Sequence, residues 1–307
     1  MIPHQFALVQ REVWEHRSIW LTPVVVAGVM SLMMLAGYVF ATAFDKVIDM
    51  GIVGAQNLTT EEQRRAALTG ALMGPTSVFF FASAILTIFY CLDALYTERK
   101  NKSILFWRSM PVTDAETVIS KLLTAVVAIP VITFVVLMAA HLVNLILISI
   151  FISIEGGSPG FMIWKSAPAL MFDVGAAMLL LVLMLPIWFS PFIGWFLFVS
   201  AWTKRSPLLT GFLPLIVLPT LETIILPTHL LWDAILTRFR GWPMITDIDP
   251  ETFFDEDKLA RMEFDFGLLD FIDVGRFLAS PAMWAGLVVC GLFVTAAIYV
   301  RRYRDES

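Results

Sequence analysis

The sequence predicts an all-α integral membrane protein with six transmembrane helices, and three observations carry that prediction. Of its 307 residues, 58% are hydrophobic and only 15% are charged, whereas soluble domains hold about 45–50% apolar residues with Gly counted and about 25% charged. The mean hydropathy is +0.80, which is more apolar surface than one soluble core can hide. Six apolar runs reach the roughly 20 residues that a helix needs to cross a bilayer. This composition excludes an ordinary cytosolic enzyme and a disordered chain. With 21 Lys+Arg against 26 Asp+Glu, there is no basic excess to recruit nucleic acid. Cys91 and Cys290 both fall in apolar runs, so no disulfide scaffold is indicated.

Residues 1–18 read as an amphipathic interfacial helix. Ile2, Phe6, Val9 and Val13 recur at helical spacing, with His4, Gln5, Arg11, Glu12 and Glu15 mostly opposite. Trp14 and Trp20 suit the headgroup zone. This stretch is either a simple anchor or a lever that tilts with the first span. Residues 19–307 form a single six-span domain, with spans near 19–44, 73–95, 118–152, 167–201, 208–232 and 280–300. The first run is too long for a signal-peptide core and reads as a signal anchor. The third and fourth exceed one straight span, so they must tilt, kink or project, with Pro130, Pro186 and Pro191 as break points. Gly70 and Gly74 form a small-xxx-small pair that predicts close helix packing at the start of span two.

Twelve Lys and Arg residues lie at the termini and in the loops after spans two and four, against nine in the longer loops of the other side. The bias predicts that both termini face the cytoplasm. The extracytoplasmic loop 233–279 carries 11 acids against 5 bases. Its Asp247, Asp249 and Glu251 invite a calcium reading, but an EF-hand begun at Asp247 would need Gly and Glu where Thr252 and Lys258 stand. A solvated acidic cap explains the loop better. Its apolar stretch Phe264, Phe266, Leu268, Leu269, Phe271 and Ile272 predicts that it folds back onto the membrane surface.

The cytoplasmic loop 96–117 is the most informative segment. Ser103 is a good N-cap for a short helix that Pro111 ends, and Thr113 with Glu116 makes a capping box opening the third span. The tip exposes Ile104, Leu105, Phe106 and Trp107 between cations. Such an apolar knob calls for a cover of lipid or of a partner.

This loop resembles the permease subunits of ABC-2 type ABC transporters. The resemblance rests on Glu98-Arg99, on Ser103–Arg108, on Ser109-Met110-Pro111-Val112 and on Lys121. It extends to Ile187-Trp188, Pro191, Gly194-Trp195, Val199-Ser200-Ala201-Trp202, Arg205, Pro207, Leu213-Pro214 and Glu222, over roughly residues 1–232. The large acidic loop after span five departs from the pattern. The resemblance implies a bacterial inner-membrane exporter subunit that is not itself an enzyme. ATP and Mg would sit on two copies of a separate ATP-binding subunit, and a second permease chain, identical or related, would complete the path. A coupling helix at 103–110 would dock on the ATP-binding subunit, through Ser103, Ile104, Leu105, Phe106, Trp107, Arg108 and Pro111, with Glu98 and Arg99 at the base of the joint. The chain carries no P-loop: Gly286 and Gly291 are followed by Leu292 within a span.

Ionisable groups inside a bilayer are expensive, about 2.5–3.5 kcal/mol for Asp at the centre on insertion scales. Asp173 and Glu222 therefore stand out as candidates for the translocation path, as do His141 and Asn144, three apart on one helical face. Interhelical hydrogen bonding is the competing explanation, and for His141 and Asn144 the better one. Phe79, Phe80, Phe81 and Met138 are candidate wall residues for an apolar cargo. Two other classes compete: a secondary transporter without ATPase, and an ABC-like complex that signals mechanically and moves nothing. A membrane hydrolase lacks its motifs, and the four histidines are scattered at His4, His16, His141 and His229.

Overall fold

Backbone groups placed in hydrocarbon must be satisfied within their own segment, so a chain this apolar folds as helices. The computed structural model describes residues 2–43, 61–101, 112–226, 228–245 and 268–303. Helix α1 (Ile2–Glu15) precedes α2 (Ser18–Ala43), α3 (Glu61–Ala94) and the short α4 (Tyr96–Lys100). Next come α5 (Asp114–Leu123), a π-helical turn at Thr124–Ala128 and α6 (Ile129–Ile154). The chain continues through α7 (Ala167–Trp188), α8 (Ser190–Trp202), α9 (Pro207–Ile225), α10 (Leu230–Arg240), α11 (Val274–Ala279) and α12 (Pro281–Tyr303). Among the described residues there is no strand, and a single isolated bridge pairs Ile245 with Ile272.

Among the described residues, six segments are long and apolar enough to cross a membrane: Ser18–Phe40, Leu68–Lys100, Asp114–Ile154, Ala167–Trp188, Pro207–Ile225 and Pro281–Tyr303. This is a multi-pass membrane protein. The Asp114–Ile154 segment has 41 residues, roughly 60 Å at ~1.5 Å per residue, twice the hydrocarbon thickness. Pro130 near its middle has no N–H to offer the preceding turn, and the π turn just before it absorbs the missing bond.

The expected fourth span, 167–201, is two helices. It breaks at Phe189, between Pro186 inside α7 and Pro191 at the start of α8. Two missing amides five residues apart leave too few rungs to carry one helix across. The fifth span ends at Ile225, short of the expected 232, and α10 starts a new helix at Leu230.

The tight helix seams also lie elsewhere than expected. A Cβ on Gly70 or Gly74 would meet nothing within 4 Å, so that pair brings no helix close within the chain. Gly194 of α8 does: a Cβ there would stand 3.0 Å from Cys290 Cα of α12. Around this seam Leu95, Val118, Ala201, Cys290, Val294 and Ala297 are packed as one cluster. Three consecutive phenylalanines cannot share a helix face. Phe79 is buried against Leu137 and Ala140, while Phe81 is 69% exposed. The first and fifth spans are little covered by the rest of the chain, leaving Met33 and Ile224 among the outward apolar residues.

Two glycine substitutions separate these cases. Gly194→Ala should cost about 1–3 kcal/mol through overpacking against backbone. Gly74→Ala, in open helix, should be neutral or stabilising by about 0.5–1 kcal/mol. Thermal unfolding of the detergent-solubilised protein measures both.

Candidate functional site

Helix α1 lies against α5 and the π turn with Leu8 and Glu12 buried, while Phe6 and Trp14 point outward. The apolar pattern puts Glu12 on the polar face; the fold turns that carboxylate inward to 1% exposure. The reason is a cation 109 residues away. Lys121, equally buried, sets its Nζ 3.1 and 3.0 Å from the two Glu12 oxygens. Tyr90 OH donates to Glu12 Oε2 at 3.1 Å, and Arg11 Nη2 approaches Oε1 at 3.2 Å from the rim.

Lys121 is shared. Its Nζ also stands 2.9 Å from Glu98 Oε1, and the other Glu98 oxygen, Oε2, accepts from Arg301 Nη1 at 2.5 Å. Arg301 continues the series through Nε to Asp114 Oδ1 at 2.9 Å. Charges thus alternate along a ladder: Glu12, Lys121, Glu98, Arg301, Asp114. The ladder joins α1, α4, α5 and α12, and with Arg11 at its edge the formal charges cancel. It puts α1 and the last turn of α12 at the same end of the bundle.

Each rung depends on local structure. A break after Ala94 turns α4 away from α3, and Ser200 Oγ holds that break by accepting from the amides of Leu95 and Tyr96 at 3.0 and 2.9 Å. Successive residues on α4 then face different neighbours. Glu98 enters the ladder, while Arg99 Nη2 donates to Ser200 O at 2.6 Å and Thr203 O at 2.8 Å. Those carbonyls end α8 and have no helical partner of their own. On the far side of the loop, the expected capping box is formed: Thr113 Oγ1 accepts from Glu116 N, and Thr113 N donates to the Glu116 carboxylate at 2.8 Å. It opens α5 with Asp114 at the first position, so one turn sets both the helix start and the ladder's last carboxylate.

Of the expected docking residues, Glu98 and Arg99 therefore sit at the foot of the loop with defined partners. Ser103, Ile104, Leu105, Phe106, Trp107, Arg108 and Pro111 lie outside the described residues, as do Asp247, Asp249 and Glu251. Glu12, Asp114 and Arg301 complete the ladder without having been singled out.

The candidate path residues do not meet. His141 is buried and bonds Thr76 across two helices at 3.1 Å. The Thr76 hydroxyl gives its proton to Leu72 O at 2.8 Å, leaving His141 Nε2–H as the donor. Asn144 Oδ1 accepts from Ser31 Oγ of α2 at 2.8 Å. Asp173 accepts from Leu268 N at 2.7 Å and Leu269 N at 3.3 Å, holding the turn Leu268–Phe271 onto α7. Glu222 accepts from Thr228 Oγ1 at 2.7 Å and from the amides of Leu230 and Leu231 at 3.0 and 2.8 Å, which seats a carboxylate at the start of α10. A shallow groove of about 440 Å³ lined by Ile146, Ser149, Ile150, Ser153, Ile154 and Trp164 contains none of the four.

At the end of the bundle away from the ladder, Arg238 is buried without a carboxylate among its described partners. It donates to Trp188 O at 2.9 Å and Ala282 O at 2.6 Å, and its guanidinium stacks 4.3 Å from the Trp188 ring centre. Burial pulls its pKa below the ordinary arginine value. Gly286 gives it room, since a Cβ there would come within 2.7 Å of Nη2.

Residues 66–200 match a family described as ABC-2 family transporter protein. The match supports an ABC-2 type permease. No curated protein and no solved structure matches the chain. The matched stretch contains Glu98, Asp114 and Lys121 of the ladder and also Arg99, while Glu12 and Arg301 join from outside it.

Removing one partner of a buried ion pair strands the other and costs about 3–5 kcal/mol. Lys121→Met should therefore be strongly destabilising, because Glu12 and Glu98 would lose the buried cation that stands between them. Adding Glu12→Gln should recover a large part of the loss, so the two changes are non-additive by at least about 1 kcal/mol. A thermal double-mutant cycle on the purified protein reads this coupling.

Proposed function

We propose that this chain is the membrane subunit of an ATP-driven exporter, moved by a separate ATP-binding subunit that docks on loop 102–111. The observation that carries the reading is the ladder at the feet of that loop. Glu98 precedes the loop, Asp114 follows it, and both are tied to buried cations of the transmembrane bundle. A force applied to the loop would meet a stiff, ion-paired base and pass into the spans. The family match supports a permease in an ABC transporter, and members of that class draw ATP hydrolysis from a partner chain.

In this reading the end with both termini faces the cytoplasm of a bacterium, in agreement with the Lys and Arg bias of its loops. Two permease chains, identical or related, pair with two ATP-binding subunits that hold ATP and Mg. The weakly covered first and fifth spans are then faced by lipid and by the second permease. Apolar tip residues 104–107 insert in a cleft of the ATP-binding subunit, with Arg108 adding charge at the rim. His141, Asn144, Asp173 and Glu222 act as fasteners between elements, since each has its hydrogen-bonding partner within the chain.

Affinity purification from native membrane tests the reading. A P-loop ATPase should co-purify with the wild-type chain and be depleted at least about tenfold, or 1.4 kcal/mol, by Trp107→Ala with Arg108→Ala. Absence of any ATPase after gentle extraction would sink the proposal.

A further inference from the structure

We infer that Arg301 is a positioning residue that sets the spacing between the two feet of loop 102–111 and carries movement of that loop into the last span. The second half rests on the transporter reading; the first half does not. The argument starts from geometry. One guanidinium reaches both feet, Glu98 through Nη1 at 2.5 Å and Asp114 through Nε at 2.9 Å. Sixteen positions separate these carboxylates in sequence, yet the rigid guanidinium plane fixes how far apart they stand. A lysine, with one point charge, could not hold both in that way.

Each foot is further restrained on its outer side. Lys121 grips the remaining oxygen of Glu98, so that carboxylate cannot rotate away from Arg301. Arg99, the next residue, ties α4 to the end of α8 through Ser200 O and Thr203 O. The second foot begins at the capping box, where Thr113 and Glu116 fix the direction in which Asp114 leaves the helix start. Arg301 itself stands on the last turn of α12, buried to 5% exposure. Its neighbour Arg302 is exposed and packs over Tyr303. Two adjacent arginines thus differ completely in environment, and only one spans the loop.

The test uses the full-length chain in lipid nanodiscs, with spin labels at Lys100→Cys and Val112→Cys and the distance between them measured by pulsed electron resonance. The native Cys91 and Cys290 are buried. The wild type should give a narrow distribution. Arg301→Gln and Asp114→Asn should widen it by about twofold, because each leaves a foot untied. Arg301→Lys should give an intermediate width, and Arg302→Gln no change. Asp114 is half-buried, so its variant keeps the question open to measurement if Arg301→Gln fails to fold. A width unchanged in Asp114→Asn, or an equal widening in Arg302→Gln, overturns the spacing role.

The transmission role is read in the complex with the ATP-binding subunit. A label at Tyr303→Cys should shift when ATP and Mg are added to the otherwise wild-type complex. In Arg301→Gln the shift should vanish while ATP hydrolysis persists. A retained shift overturns transmission, whereas failure of any ATPase to co-purify overturns the transporter reading and leaves the spacing result standing.

Discussion

Carboxylates cannot remain ionised inside an apolar bundle unless cations are brought against them. In this chain Lys121 and Arg301 answer that requirement for Glu12, Glu98 and Asp114, and much of the architecture follows. Lys121 needs Glu12, so α1 must lie along α5 instead of floating free at the membrane surface. Arg301 needs Glu98 and Asp114, so the last span must end beside the loop between the second and third. Two termini that are some 300 residues apart are thereby fastened to one place. The apolar packing around Leu95, Val118 and Val294 encloses the same point and keeps water from loosening it.

The other end of the bundle handles charge differently. There Asp173, Glu222 and Arg238 find backbone groups instead of opposite charges, closing turns and helix ends. A carboxylate over two free amides, or a guanidinium over two backbone carbonyls, fixes the segment that supplies them. Such contacts join elements one at a time, as when Asp173 holds Leu268–Phe271 onto α7, without a shared network of opposite charges. The contrast assigns the two ends different mechanical characters: one integrates four elements, and the other trims individual connections.

Much of this was legible in the sequence, and the parts that were not share a cause. Hydropathy located six spans because hydrocarbon length dictates them. Prolines at 186 and 191 announced a broken fourth span, yet only the missing amides acting together decide that the break falls at Phe189. The capping box at Thr113 and Glu116 is local chemistry and was readable as such. Glu98, Arg99 and Lys121 emerged through resemblance to a family. Glu12 was misassigned to a polar face because hydrophobic periodicity carries no knowledge of a lysine 109 residues away. Arg301 looked like one more positive residue ending an apolar run, since charge counting cannot tell a buried guanidinium from an exposed one. The small-xxx-small spacing at Gly70 marks no seam within the chain for a related reason: a glycine marks a close approach only where another backbone arrives.

The seam at Gly194 has a dynamic consequence. With α8 and α12 in backbone contact at Cys290, sliding one along the other would bring a bulky neighbour, Ile193 or Trp195, into a space where even a Cβ is crowded. These two helices must therefore travel as one rod. Bending has to fall where the hydrogen-bond ladder is already interrupted, and Phe189 lies between two prolines that each withhold an amide. The fourth crossing thus contains its own hinge, with the α8–α12 rod as the moving arm and Arg238 tying the pivot at Trp188 to the start of α12.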